Sequence, residues 1–243
     1  MNNYKYLLFD LDRTLWDFEG NAEITFRKMY AQFQLEELCK VDYQTFHDYY
    51  RIVNDQLWEG YRNGTILKEV LNLQRFSIPL EHFGVKEQVG RLSAQLGDFY
   101  VHEGPKQKGL MPGARELLDY LSDKTYRLCI ITNGFSEAQL PKMKSSDIYR
   151  YFSHFYLSEN IGYMKPNPKF FEGVLQQLSQ HYGHEVLPEE CLVIGDDYKV
   201  DIEGAHSAHI PQVFYNYNAK FKGEYSFLPS YEIHQLIQLK EIL

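Results

Sequence analysis

Residues 7 to 18 read LLFDLDRTLWDF, an apolar run that ends on one acid, Asp10, and sets a second, Asp12, two positions further on. Tyr6, Leu7, Leu8 and Phe9 have no polar partner position among them, so the run predicts a strand covered on both faces, as in the middle of a parallel sheet. Charges do not belong in such a core. In open α/β sheets, ligands bind beyond the carboxyl ends of the strands, and that is where Asp10 and Asp12 fall. Residues two apart in extended chain project to the same side. Two carboxylates held that close repel each other, and a hard cation between them would relieve the repulsion. A single Asp after a strand is a common turn or capping residue; a pair followed by Thr14 asks for more than a turn.

Four more runs of strand length follow: RLCIITNG (127–134), HFYLSE (154–159), CLVIGDD (191–197) and PQVFYN (211–216). Helical patterns lie between them, such as GARELLDYL (113–121) and the spacing of Phe170, Val174, Leu175 and Leu178. Alternation of this kind predicts an α/β fold, a doubly wound, mostly parallel sheet with helices on both faces. Between Trp16 and about Met111 there is no strand pattern, only helical periodicity such as Val85, Val89, Leu92, Leu96 and Phe99. A crossover needs one helix, so this length predicts an inserted all-helical domain. The expected boundaries are 1–16 with 109–243 for the core and 17–108 for the insertion, with hinges in the segment after Leu15 and in HEGPKQKGLMPG (102–113).

Composition narrows the classes of function. The chain has 243 residues, 44% hydrophobic and 24% charged, and a net charge of −8. That balance argues against a nucleic-acid polymer or an anionic membrane as partner, because either calls for a basic face. A small anion is compatible, since a metal and a local cation can reverse the potential within one cleft. The three cysteines, Cys39, Cys129 and Cys191, have no paired or zinc-like spacing and read as core residues of a reducing compartment. No run has membrane length and the N-terminus already reads as a strand, so the expected location is cytoplasmic.

Three further signals fall at expected strand ends. ITNG supplies the Thr132 hydroxyl, the Asn133 amide and the Gly134 N–H. Lys165, in GYMKPNPKFF, stands before a helix expected to begin near Asn167 or Pro168. IGDDYKVD closes a buried run on Asp196 and Asp197, with Asp201 in the next turn. A helix dipole would account for Asp197 but hardly for all three. Two acidic clusters, a hydroxyl, an amide and one cation, each at a strand end, match the requirements of phosphoryl transfer: neutralise the phosphate, align a nucleophile and protonate the leaving oxygen.

In these motifs the chain resembles the haloacid dehalogenase superfamily of aspartate-nucleophile phosphatases. DLDRT resembles its first motif, Thr132 its second, Lys165 its third and GDD with Asp201 its fourth; the helical insertion resembles its α-helical cap on a Rossmann-like core. The resemblance implies that Asp10 attacks phosphorus and becomes an aspartyl-phosphate, and that Asp12 protonates the leaving group and then activates water. It implies phosphate binding by Thr132, Asn133, Gly134 and Lys165. Mg²⁺, with Mn²⁺ as a substitute, would be held by Asp10, the Asp12 carbonyl and Asp196, with Asp197 and Asp201 behind them, Asp201 acting from beyond the direct ligands or through water. Dehalogenating members lack the second Asp, so carbon–halogen cleavage is disfavoured.

VNDQLWEGYRNGTI (53–66), LQRF (73–76) and ITNGFSEAQL resemble the pyrimidine 5′-nucleotidase branch. That implies a nucleoside monophosphate as substrate, bordered by Trp16, Phe18, Asn54, Trp58 and Arg75, although core packing explains any one of these aromatics as well. A sugar-phosphate phosphatase or a phosphoglucomutase-like enzyme fits the same motifs. Outside enzymes, a receiver-like module or a phosphate-binding scaffold is the alternative; receiver modules are about half this length.

Overall fold

The structure, a computed structural model, describes residues 3–219 and 221–243. The chain divides into two compact units, one formed by Met1–Phe18 with Lys108–Leu243 and the other by Glu19–Gln107.

The first unit is built on six strands: β1 (Tyr6–Phe9), β2 (Arg127–Thr132), β3 (His154–Leu157), β4 (Cys191–Gly195), β5 (Gln212–Tyr215) and β6 (Tyr231–Ile233). All pairings are parallel and the order is β3-β2-β1-β4-β5-β6. The chain winds outward one way from β1 and the other way from β4, so the topological switch point lies between these two strands, the place where such sheets bind ligands. Asp10 follows β1 and Asp196 follows β4, and they flank that switch point.

Period-two alternation explains why β1 is apolar throughout. Leu7 and Phe9 join a core with Leu117, Leu118 and Leu121 of the helix Ala114–Ser122, while Tyr6 and Leu8 join one with Phe170, Phe171, Val174 and Leu178. A fully buried Leu or Phe contributes about 1.5–3 kcal/mol relative to exposure, so a charge on either face of β1 would be costly. The second of these helices, Pro168–Tyr182, starts where expected: Pro168 stands in its first turn and Asn167 caps it through Oδ1, which accepts from Lys169 N at 3.0 Å.

One expectation needs correction. The sequence reading gave five strands, and the sixth, β6, was missed. It is a three-residue edge strand whose central residue is the exposed Glu232, so it carries neither a buried run nor a clear alternation. The mostly parallel sheet is parallel in every pairing. All three cysteines are buried and free, as a core reading requires.

The second unit is helical, with α1 (Phe18–Gln32, its first residue belonging to the other unit), α2 (Leu35–Cys39), α3 (Tyr43–Arg62), α4 (Lys68–His82) and α5 (Val89–Glu103). Val85 precedes α5, held in a turn by its N–H to the Leu80 carbonyl, rather than opening the helix as its spacing suggested. The core of this unit gathers around Phe26, which packs against Phe46, Tyr50 and Phe76. Among the described residues, no helix is long and apolar enough to cross a membrane.

Candidate active site

Asp10 is fixed by the strand ladder itself, its N–H donating to the Ile194 carbonyl at 2.9 Å. The chain then doubles back: Arg13 N–H donates to the Trp16 carbonyl at 2.8 Å, with Arg13 in a left-handed conformation at φ 67°. This tight loop puts the buried Thr14 hydroxyl 3.3 Å from Asp196 Oδ1, across the switch point.

After β4 the chain makes one π-helical turn, Tyr198–Ile202. Its effect is to separate the three acids expected to act together. Asp197 Oδ1 accepts from the N–H groups of Lys199 and Val200, both at 3.0 Å, and so serves as the cap of that turn. Asp201, 1% exposed, is carried back toward β4. A Cβ on Gly195 would lie 2.4 Å from Asp201 Cγ, so glycine is required there to admit the carboxylate.

Carboxylate oxygens of Asp10, Asp196 and Asp201 lie within 4.8 Å of one another. Lys165, itself 1% exposed, donates to Asp10 Oδ1 at 2.7 Å, to Asp201 Oδ1 at 2.7 Å and to the Ile131 carbonyl at 3.0 Å. An ammonium has three protons, and all three are spent. Fully ionised, three carboxylates against one ammonium would leave two net negative charges in a buried space. Burial and then the neighbouring charges raise Asp10 to about 7, with Lys165 opposing the rise. Asp196 is pushed well up by burial and by Asp10 and Asp201. Asp201 is raised by burial, against the pull of Lys165. Burial alone would lower Lys165, but Asp10 and Asp201 more than reverse this. Hard oxygen donors with a surplus of two charges fit a divalent cation such as Mg²⁺. Asp201 stands inside the acid cluster, whereas the sequence reading gave it an outer role. Asp12 directs its side chain elsewhere, which leaves its main-chain carbonyl as the group the resemblance assigned to the metal.

At the end of β2, Thr132 Oγ1 accepts from Gly134 N–H at 3.0 Å and from Gln139 Nε2 at 2.7 Å. With both acceptor positions used, its own proton is left to donate to a ligand. Asn133 is spent on Lys165: its Oδ1 accepts from Lys165 N–H and its Nδ2 donates to the Lys165 carbonyl, each at 2.8 Å. The Asn133 amide, expected on phosphate, thus also positions the lysine.

Sequence reasoning missed two residues, Gln139 and Lys142, both on the helix Ser136–Ser145 that follows TNG. Lys142 Nζ donates to Asp12 Oδ1 at 2.7 Å and Oδ2 at 2.9 Å, and Gln139 Nε2 donates to Asp12 Oδ2 at 3.0 Å. Their spacing of three, on the helix opening directly from the strand end, was the signal available.

The aromatic expectations divide. Trp16 is 2% exposed and belongs to the core, with Lys142 Nζ 4.5 Å from its ring and Phe18 edge-on to it at 6.3 Å. Phe18 is half-buried and lies under the Arg13 guanidinium at 4.4 Å. In the helical unit, Asn54 and Trp58 are half-buried on α3, Trp58 edge-on to Tyr61 at 5.8 Å. Arg75 on α4 is 5% exposed, with its guanidinium 5.1 Å from the Tyr100 ring and with Nε and Nη2 buried without a hydrogen-bond partner.

Comparison with known proteins agrees with this geometry. The chain is 32% identical over 240 residues to the pyrimidine 5′-nucleotidase PynA of Streptococcus pneumoniae, covering 99% of this chain and 95% of that protein. It is 26% identical to the pyrimidine 5′-nucleotidase YjjG of Escherichia coli, covering 99% and 98%. Among solved structures, the magnesium-bound HAD-hydrolase YfnB from Bacillus subtilis superposes with a TM-score of 0.84 at 27% identity, covering 99% of this chain and 98% of that one. Residues 4–209 match the haloacid dehalogenase-like hydrolases, and with the acid cluster at the switch point and full-length relatives of the same kind, the chain belongs to that family.

Proposed function

We propose that the protein is a Mg²⁺-dependent phosphomonoester hydrolase that cleaves nucleoside 5′-monophosphates, with pyrimidine nucleotides preferred, through an aspartyl-phosphate on Asp10. The observation that carries the reading is the pairing of two differently treated carboxylates at one strand end. Asp10 lies in the acid cluster beside Lys165, while Asp12 turns away to Lys142 and Gln139. One is placed to attack and the other to handle a proton, the division of labour that a phosphate ester with a basic leaving oxygen requires.

Asp10, Asp196 and Asp201 would hold the cation, which when bound neutralises phosphate charge and draws electron density from phosphorus. Lys165 holds Asp10 in line and offsets the charge of the incoming phosphate. Thr132 donates its hydroxyl proton to a phosphate oxygen. Asp12 gives its proton to the leaving oxygen as the ester bond breaks, and as a carboxylate then takes one from the water that cleaves the aspartyl-phosphate. Asn54, Trp58 and Arg75 of the helical unit are the candidates for the nucleoside, on the resemblance of their segments to the pyrimidine 5′-nucleotidase branch. Arg75 is the strongest of these, because buried donors without a partner are costly unless a ligand completes them; the carbonyl oxygen of a pyrimidine ring is a matching acceptor. The two pyrimidine 5′-nucleotidases among the relatives support this substrate class.

The test is phosphate release with Mg²⁺ from uridine, cytidine, adenosine and guanosine 5′-monophosphates, with glucose 6-phosphate and glyceraldehyde 3-phosphate alongside. Faster turnover of the pyrimidine nucleotides, reduced in Arg75→Met, is the expected result. Preference for the sugar phosphates would keep the chemistry and discard the substrate. Absence of multiple turnover on every compound would discard both.

A further inference from the structure

The helix Ser136–Ser145 directs two polar side chains back at Asp12. Gln139 is fully buried and Lys142 is 8% exposed. Lys142 reaches both carboxylate oxygens of Asp12, while Gln139 bridges Asp12 Oδ2 and Thr132 Oγ1 with one amide nitrogen. The ammonium also sits against aromatic rings, 4.5 Å from Trp16 and 5.6 Å from Phe18. These contacts hold the cation in place by charge and ring quadrupole.

The amide of Gln139 is oriented for the ionised form of Asp12. Turned over, it would aim its oxygen at the Asp12 carboxylate. As it stands, Oε1 is buried without a hydrogen-bond partner, a cost that goes with both N–H groups donating. The chain makes room for it: a Cβ on Gly134 would lie 2.2 Å from Gln139 Nε2. The Gly134 of the TNG motif is therefore required by the clamp on Asp12.

We propose that Lys142 and Gln139 are positioning residues for Asp12, locking its carboxyl group in one orientation beside Thr132 for proton delivery to the leaving oxygen. The inference rests on the phosphoryl-transfer reading above. In that step a bond forms from Asp10 Oδ to phosphorus as the bond from phosphorus to the leaving oxygen breaks. The electron pair stays on the leaving oxygen and the Asp12 proton caps it. The carboxylate that remains on Asp12 is met by the Lys142 ammonium, already in place and needing no reorganisation. A carboxyl group freed from three hydrogen bonds would rotate, and displacement by about 1 Å can cost about 10²-fold in rate.

Positioning of a proton donor has a signature that general damage lacks: it matters in proportion to how badly the leaving group needs the proton. The experiment compares kcat/KM, which reports steps up to formation of the phosphoenzyme, for p-nitrophenyl phosphate and phenyl phosphate with Mg²⁺. The proteins are wild type, Lys142→Met, Lys142→Arg, Gln139→Ala and Asp12→Asn. Lys142→Met is expected to lose on the order of 10- to 100-fold on phenyl phosphate and under about 3-fold on p-nitrophenyl phosphate, whose leaving group departs without a proton. Lys142→Arg should recover most of the loss, Gln139→Ala should lean the same way by a smaller factor, and Asp12→Asn should lean more steeply. Should Lys142→Met fail to fold, Gln139→Ala and Lys142→Arg carry the comparison. Equal losses on both esters in the Lys142 and Gln139 variants, with Asp12→Asn still selective, would overturn the inference alone. An unselective Asp12→Asn would overturn it together with the reading it rests on.

Discussion

Asn133 holds the main chain of Lys165 at both its N–H and its carbonyl, two hydrogen bonds of 2.8 Å between residues 32 positions apart. The lysine that pairs with Asp10 and Asp201 is thus aimed by an amide at the end of β2, and the second and third motifs form one mechanical unit. Asn133→Ala should leave the fold intact at a stability cost of about 1–3 kcal/mol for the unpaired main-chain groups. Turnover should fall by on the order of 10- to 100-fold as Lys165 loses its register. Thermal unfolding together with steady-state phosphate release checks both numbers.

Asp196 and Asp197 are adjacent in sequence and separate in role. Asp197→Ala removes the cap of a π-helical turn and should cost about 1 kcal/mol, with the Mg²⁺ concentration for half-maximal activity little changed. Asp196→Asn removes a member of the acid cluster and should raise that concentration by about 10- to 100-fold. A Mg²⁺ titration of the two variants side by side distinguishes a cap from a ligand.

The buried acids make metal binding and stability depend on pH with a definite sign. Burial raises Asp10 to about 7 and raises Asp196 and Asp201 as well, whereas each would titrate near 3.8 in the unfolded chain. Through that interval the metal-free folded protein binds more protons than the unfolded chain. Its stability from these groups therefore falls as pH rises from about 4 toward 7. Mg²⁺ needs the ionised forms, so it must displace protons at low pH and less so above 7. The upward shift of the melting temperature on adding Mg²⁺ should accordingly be larger at about pH 8 than at about pH 5.5, as differential scanning fluorimetry would show.

The two parts of the site were legible to different degrees for physical reasons. Asp10 and Asp12 stood out because a strand buried on both faces admits no charge, so the first acids after Phe9 mark its end. The long stretch without strand pattern was legible because a crossover needs only one helix. What distinguishes Asp197 from Asp201 was not legible, because three acids near one strand end look alike until the turn is known. The turn caps itself with Asp197 and folds Asp201 against Gly195. Lys142 was hidden for a related reason. A lysine near a helix end is usually solvated, and only the rotation of that helix brings its ammonium 2.7 Å from Asp12. The edge strand at Tyr231–Ile233 was too short to display a period.

The most direct measurement is Mg²⁺-dependent phosphate release from uridine 5′-monophosphate by wild type and by Asp10→Asn, with circular dichroism to show that the variant is folded. If Asp10 is the nucleophile, the wild type turns over many times and the folded variant retains no more than about a thousandth of its rate. Turnover near the wild-type rate by folded Asp10→Asn would contradict the aspartyl-phosphate mechanism.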